Sequence, residues 1–256
     1  MAELLLVSAL VCLALMGLAW VVSLIIRDAS IVDMIWGFGF VAVGWATYLA
    51  AEQPGPRSLL LTMMVTIWGT RLSGYLVWRN LGKPEDYRYQ EMRRKAPRLF
   101  WLISLFQVFL LQGALIWLIS FPVVATQVDH EVLGWLDVVA VLVWVVGLFF
   151  ESVGDVQLAR FKSRPENEGR VMDRGLWRYT RHPNYFGDFM VWWGHYLVAL
   201  AGGAWWTIFS PLLMSVLLLR VSGVAMLERT ISKRRPEYED YARRTNAFFP
   251  GPVRGG

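Results

Sequence analysis

The sequence predicts an all-α fold, that of a polytopic integral membrane protein with about seven transmembrane helices. Three observations lead there. Hydrophobic residues make up 56% of the 256, with 14 tryptophans and only 18% charged residues, a balance that water-soluble chains of this length do not keep. Apolar runs near the roughly 20 residues needed to cross a bilayer recur along the whole chain. Finally, 20 of the 25 Lys and Arg residues fall in three segments, 80–98, 154–182 and 228–256. The connections 52–57 and 126–134 hold only Arg57, and the second carries Asp129 and Glu131. The positive-inside rule then sets the three basic segments in the cytoplasm, the N-terminus outside and the C-terminus cytoplasmic.

The first run, 4–26, follows Glu3 and shows no small-residue cleavage site, so it reads as a retained helix rather than a signal peptide. It holds the lone cysteine, Cys12, which excludes an internal disulfide framework and fits a buried small apolar residue. The second run, 31–51, starts with Asp33 near its beginning. "EQPGPRS" (52–58) is a turn leading to a third run, 58–78. In the basic connection, "EDYRY" (85–89) leaves two readings open: its acids bind ribose hydroxyls, or they pair with Arg88, Arg93 and Arg94. Runs at 99–125 and 132–153 follow. The last two, 183–201 and 204–222, meet at "AGGA" (201–204), so short a link that they form a tight antiparallel hairpin. "RPEYEDYARRT" (235–245) spaces its tyrosines as an amphipathic helix lying on the cytoplasmic face. Neither repeats nor a soluble appendage interrupt this, so 1–256 reads as one membrane domain.

Ionisable residues inside a membrane span are expensive and point to function. Asp33, Arg71, Asp137, Glu151, Asp188, His195 and Arg220 lie within or at the ends of runs. Asp137 fits an interhelical or headgroup contact, and His195 a satisfied interior histidine. Three histidines, with no convincing ligand spacing, give no metal site. The remaining polar residues share one depth. Asp155, Arg160 and Lys162 follow the fifth run; Arg178, Arg181, His182, Asn184, Tyr185 and Asp188 open the sixth. Arg220 and Glu228 end the seventh, and Tyr241, Arg243 and Arg244 follow. Pro183 in "RHPNY" suits a first helical turn, whose free N–H groups, with Arg and His alongside, suit a pyrophosphate. Boundary anchoring needs Arg, Lys, Trp and Tyr but not Asp155, Asn184, Asp188 and Glu228 as well.

"RGLWRYTRHPNYFGD", the preceding "GDVQLARFK" and the closing "YARRTNAFFP" resemble the C-terminal domain of the steroid 5α-reductase superfamily. The likeness is greatest to its bacterial DUF1295 branch, with "SIVDMIWGFGF" and "NLGKPEDYRYQEMR" adding to it. The resemblance implies NADPH held in a cytoplasm-facing cavity of the C-terminal half (132–256) without a Rossmann fold, and substrate-cavity helices in 4–125. It matches Asp155 and Lys162 to polar cofactor positions, Asn184 to an asparagine near the nicotinamide and Arg220 to an arginine near the phosphates. Arg178, Arg181, His182, Tyr185, Asp188, Glu228, Tyr241 and Arg244 fall in the same implied pocket, with Arg79 and Asn80 on a turn reaching the nucleotide. The implied reaction reduces a carbon–carbon double bond conjugated to a carbonyl in a lipidic substrate, while an acid stabilises the developing enolate. The family's glutamate and tyrosine are replaced here by Asp33 and Trp68, with Tyr75 two helical turns further on as a substitute.

A membrane methyltransferase of the isoprenylcysteine or phospholipid type is the main alternative, since "RHPNY" and Glu228 also fit an S-adenosylmethionine site. Lys162, Arg178, Arg181, Arg220 and Arg244 supply more positive charge than that cofactor needs, and "LER" (227–229) supplies one glutamate where such enzymes use two. A non-catalytic lipid-binding protein is a further alternative; a transporter is not favoured, for want of an inverted repeat. The expected associates are a lipidic substrate and membrane lipids, with no nucleic acid and no obligate protein partner. The location is a multi-pass membrane, the inner one in a bacterium.

Overall fold

A computed structural model describes residues 1–221, 224, 228 and 237–253. Among these the chain is helical, without strands. Four helices are long and apolar enough to cross a membrane: α1 (Ala2–Ile26), α2 (Ile31–Ala50), α5 (Phe100–Ile119) and α7 (Trp135–Lys162). Helices also stand at the other three expected places: α3 (Pro56–Asn80), α8 (Pro183–Ala201) and α9 (Trp205–Val221). These are more polar or shorter, since α3 carries Arg57, Arg71 and Arg79, α8 carries Asp188 and His195, and α9 spans fewer than five turns. The shorter α4 (Tyr87–Lys95), α6 (Phe121–Thr126) and α10 (Glu237–Arg244) lie between or after them. The chain forms two compact units, Met1–Gly134 with Val198–Thr207, and Trp135–Leu197 with Ile208–Gly256.

In the first unit, α1 stops where Arg27 turns left-handed (φ 57°) and its N–H bonds Ser23 O. The Asp28 side chain accepts from Ser30 N at 2.8 Å and turns the chain into α2. Pro56 opens α3 in the first turn, where its missing N–H costs nothing. Helices α2 and α3 touch backbone to backbone: a Cβ on Gly37 would lie 2.5 Å from Gly69 O, and one on Gly69 equally near Gly37 O. One turn from that contact, Phe40 and Trp68 pack edge to face, 5.6 Å between centroids. Arg57 is buried, bridged to Asp129 and donating to Val132 O at 2.9 Å. The expected run 99–125 divides: α5 widens to a π-helical turn over Leu105–Leu110, and α6 begins after Ser120, with Pro122 in its first turn. "AGGA" does end α8 tightly, Gly203 adopting φ 79° while Ala204 N bonds Ala199 O at 2.9 Å.

In the second unit, α7 continues well past the expected end of its run. Asp155, Arg160 and Lys162 therefore sit on its last two turns and not in a loop, because good helix formers fill the stretch between Gly154 and Pro165. Helices α7 and α8 cross at glycines: a Cβ on Gly187 would stand 2.3 Å from Glu151 N, and one on Gly147 2.7 Å from Gly187 O. The expected tail helix is α10, with Arg235 and Pro236 outside the described residues. It is amphipathic as expected: Tyr238 and Tyr241 are buried inside the unit, while Glu237, Glu239, Asp240, Arg243 and Arg244 are exposed. Beyond it, residues 246–251 run back along 179–181. Asn246 forms a parallel bridge with Thr180, Arg181 N bonds Asn246 O (2.9 Å), Thr180 Oγ1 bonds Phe248 O (2.7 Å) and Gly251 N bonds Tyr179 O (3.1 Å). Phe248 then packs with Phe186 and Phe189.

Candidate functional site

Eight of the twelve expected cofactor residues of the second unit gather in three places. The first is a cleft of about 390 Å³ lined by Asp173, Arg174, Gly175, Arg178, Arg244, Thr245 and Val253. Gly175 takes φ 59°, and a side chain there would strike Gln157, whose Oε1 accepts from Leu176 N at 3.0 Å. That turn carries the Arg174 and Arg178 side chains to the cleft. Arg244 pairs with Asp173 at 3.0 Å, while Arg174 and Arg178 have no carboxylate within ion-pair reach among the described residues. The cleft is net cationic. Of the expected residues it takes Arg178 and Arg244; Asp173 and Arg174 are additions, and the Arg174/Arg178 spacing within "RGLWR" was the available signal.

The second place centres on Glu228. Its Oε1 accepts from Arg181 Nε at 2.9 Å, faces His182 Nε2 at 3.3 Å and is approached by Tyr238 Oη at 3.5 Å. The His182 hydrogen bond, with help from the Arg181 charge, outweighs partial burial and lowers the Glu228 pKa below its ordinary 4.5. Burial first, then the Glu228 charge, raises the Tyr238 hydroxyl to about 12. Arg181 also donates to Ala242 O (2.7 Å) and Thr245 O (3.3 Å), so its donors are committed to fastening α10 and the tail. Tyr185 stacks on His182, with rings 5.8 Å apart and 19° from parallel. Tyr238 was not foreseen; its place in the tail gave no hint of a partner ten residues upstream. Leu227 and Arg229 of "LER" lie outside the described residues.

The third is a polar contact between α7 and α8, where Asn184 Nδ2 donates to Asp155 Oδ1 at 3.1 Å and Asn184 Oδ1 accepts from Tyr185 N. The helical position of Asp155 makes this possible. Tyr241 serves packing, donating to Trp177 O from a buried position, while Trp177 donates to Gly154 O. Lys162 and Arg220 are exposed at the ends of α7 and α9, and Asp188 sits half-buried on α8 with one carboxylate oxygen buried.

In the first unit, Asp33 is the centre of a network. It accepts from Arg88 Nη2 (2.8 Å), Tyr89 Oη (3.1 Å) and Gln112 Nε2 (3.3 Å). Three donors thus converge on the Asp33 side chain. Arg88 also bonds Asp86 at 2.9 Å. Burial works against the Arg88 charge, but Asp86 and Asp33 together raise its pKa. The Asp86 pKa is lowered despite burial, because Arg88 donates to it from both side chain and backbone. Burial and the Asp33 charge raise Tyr89. Glu85 accepts from Ala29 N (2.8 Å) and Arg93 (2.8 Å), and Ser30 Oγ accepts from Asp86 N (2.7 Å). The "EDYRY" acids thus follow the ion-pair reading and strap α4 to the start of α2. Trp68 is fully buried against Phe40. The Tyr75 ring lies under the Arg71 and Arg79 guanidiniums, 5.6 and 5.7 Å from its centroid, and Arg79 donates to Asn80. Sequence reasoning singled out Asp33 and, separately, Arg88 and Tyr89 within "EDYRY", but it did not join them and missed Gln112.

The family model described as protein of unknown function DUF1295 matches residues 19–245. The chain belongs to that family, which is steroid 5α-reductase-like. It is similar to the uncharacterized protein C594.04c of Schizosaccharomyces pombe, 25% identical over 95% of this chain and 79% of the yeast protein. No solved structure matches significantly.

Proposed function

We propose that this DUF1295 protein is an NADPH-dependent membrane reductase of carbon–carbon double bonds conjugated to a carbonyl, acting on a steroid-like, isoprenoid or acyl lipid. The observation that carries the reading is the cationic cleft: Arg174 and Arg178 unopposed, Arg244 balanced by Asp173, about 390 Å³ in volume. Small-molecule sites run from about 300 to 1,000 Å³, so the space suits the phosphate-bearing part of a dinucleotide. Guanidiniums fit phosphate oxygens in pairs. When bound, NADPH supplies the hydride. The arginines bind and orient its phosphates, and Asn184, fixed by Asp155, offers its amide for positioning. In the first unit Asp33 and Asp86 hold Arg88 in place, and the guanidinium N–H groups left over are the donors offered to a developing enolate, while Tyr89 spends its one O–H on Asp33. With seven spans and the basic segments inside, the cleft faces the cytoplasm.

A second reading, the S-adenosylmethionine-dependent methyltransferase, is favoured by one observation. Arg181 is committed to Glu228 and two backbone carbonyls, and Arg244 to Asp173, which leaves fewer cations for phosphates than the sequence offers.

Thermal melts of detergent-purified protein with NADPH, and separately with S-adenosylmethionine, decide between them. A ligand at a hundredfold excess over its Kd adds about 2.7 kcal/mol to the folded state. Stabilisation by NADPH, lost in Arg174→Ala and Arg178→Ala, is the expected result. Stabilisation by S-adenosylmethionine alone overturns it.

A further inference from the structure

At the end of the first unit away from Asp33, the start of α1, the end of α2 and the segment after α6 enclose a second cleft of about 400 Å³. Its polar side chains are those of Glu3, Glu52, Gln53, Gln127 and His130, with no lysine or arginine. Gln127 is 1% exposed. Its Nε2 donates to Val123 O (3.1 Å) and Thr62 Oγ1 (3.2 Å), and because a backbone carbonyl only accepts, this fixes which end of the amide is nitrogen. The buried Oε1 receives no hydrogen bond from any described residue. A buried acceptor left without a donor costs about 1–3 kcal/mol, so the missing partner is a donor.

The two carboxylates that line the same cleft say what kind. Glu3, Glu52 and Gln127 Oε1 are three acceptors, and two are anionic, which suits a cation bearing three N–H groups. No three of the described His, Cys, Asp and Glu side chains group as a metal site would require. We infer that this cleft binds a primary ammonium group. The group belongs either to a lipid headgroup of the ethanolamine type or to a free amine. Leu6, Leu10 and Leu49, exposed on the helices that form the cleft, offer an acyl chain apolar surface.

Choline is the discriminating control, for its quaternary ammonium carries the same charge and no N–H. Native mass spectrometry of the detergent-purified full chain, titrated with phosphatidylethanolamine or phosphatidylcholine, should favour the first by about tenfold, the worth of a hydrogen bond to a charged group. Soluble ethanolamine and choline, followed by thermal stability, form the second arm. Preference for the lipid amine without a soluble-ethanolamine effect assigns the site to a lipid; stabilisation by ethanolamine but not choline assigns it to a free amine. Either preference should weaken about two- to fivefold in Glu52→Gln, an exposed position that leaves folding intact, and further in Gln127→Met. Equal response to ethanolamine and choline forms in both arms, or a preference untouched by Glu52→Gln, overturns the inference.

Discussion

Glu228 shows what a single carboxylate does in this protein. It joins Arg181 and His182 to Tyr238, and so ties the start of α8 to the tail helix. Its folded-state pKa lies below the ordinary 4.5, so its contribution to stability is present above that value and is lost as pH falls through the depressed one. Glu228→Gln should therefore melt below wild type at pH 7, and the gap should close as both are taken below about pH 4.5, measured by melts across pH. Asp33 makes a different prediction. Arg88→Ala leaves Asp33 and Asp86 without their shared cation, but its side chain is 38% exposed, so solvent screening limits the loss to about 1 kcal/mol. Under the proposed function the larger effect of Arg88→Ala is on turnover, which should fall by more than this loss of stability accounts for. Asp33 was legible because an acid in an apolar run is conspicuous. Its pairing with "EDYRY" was not, because Arg88 and Tyr89 reach it only after Glu85 and Ser30 have bound α4 to the start of α2.

Helices are local objects, and most of their ends followed from hydropathy to within a few residues, the end of α7 and the division of the run 99–125 excepted. What hydropathy does not encode is where two helices touch. Gly37 with Gly69, and Gly147 with Gly187, are contacts at which backbone meets backbone, so any Cβ overlaps a carbonyl oxygen or amide nitrogen that has no room to shift. Gly69→Ala and Gly187→Ala should each destabilise by about 1–3 kcal/mol, read from thermal melts, whereas Gly74→Ala, with open space around it, should be tolerated. The end of α7 was misplaced for a related reason. A hydropathy run ends where charge begins, but a helix continues until its backbone is stopped, and nothing stops α7 before the Ser163–Pro165 turn. Asp155 thereby gains a neighbour on α8 that a loop residue would not keep.

For the whole molecule, the distribution of charge makes a prediction that single contacts cannot. In a Cys12→Ser background, a cysteine placed at Gln90 should react with a membrane-impermeant thiol reagent only after the cytoplasmic side is opened. One placed at exposed Val132 should react in intact cells. Reversed labelling would invert the topology and place the cationic cleft where no cytoplasmic nucleotide reaches it. The return of residues 246–251 along 179–181 adds a constraint of timing. A ribosome makes Tyr179–Arg181 about 70 residues before the segment that completes their hydrogen bonds, several seconds of synthesis at roughly 5–20 residues per second. Through that interval the arginines that will line the cleft are already made, while Arg244 and Thr245 of its far wall are not. The cleft therefore stays one-sided until the last residues emerge, and a chain stalled there would keep its edge at 179–181 unpaired.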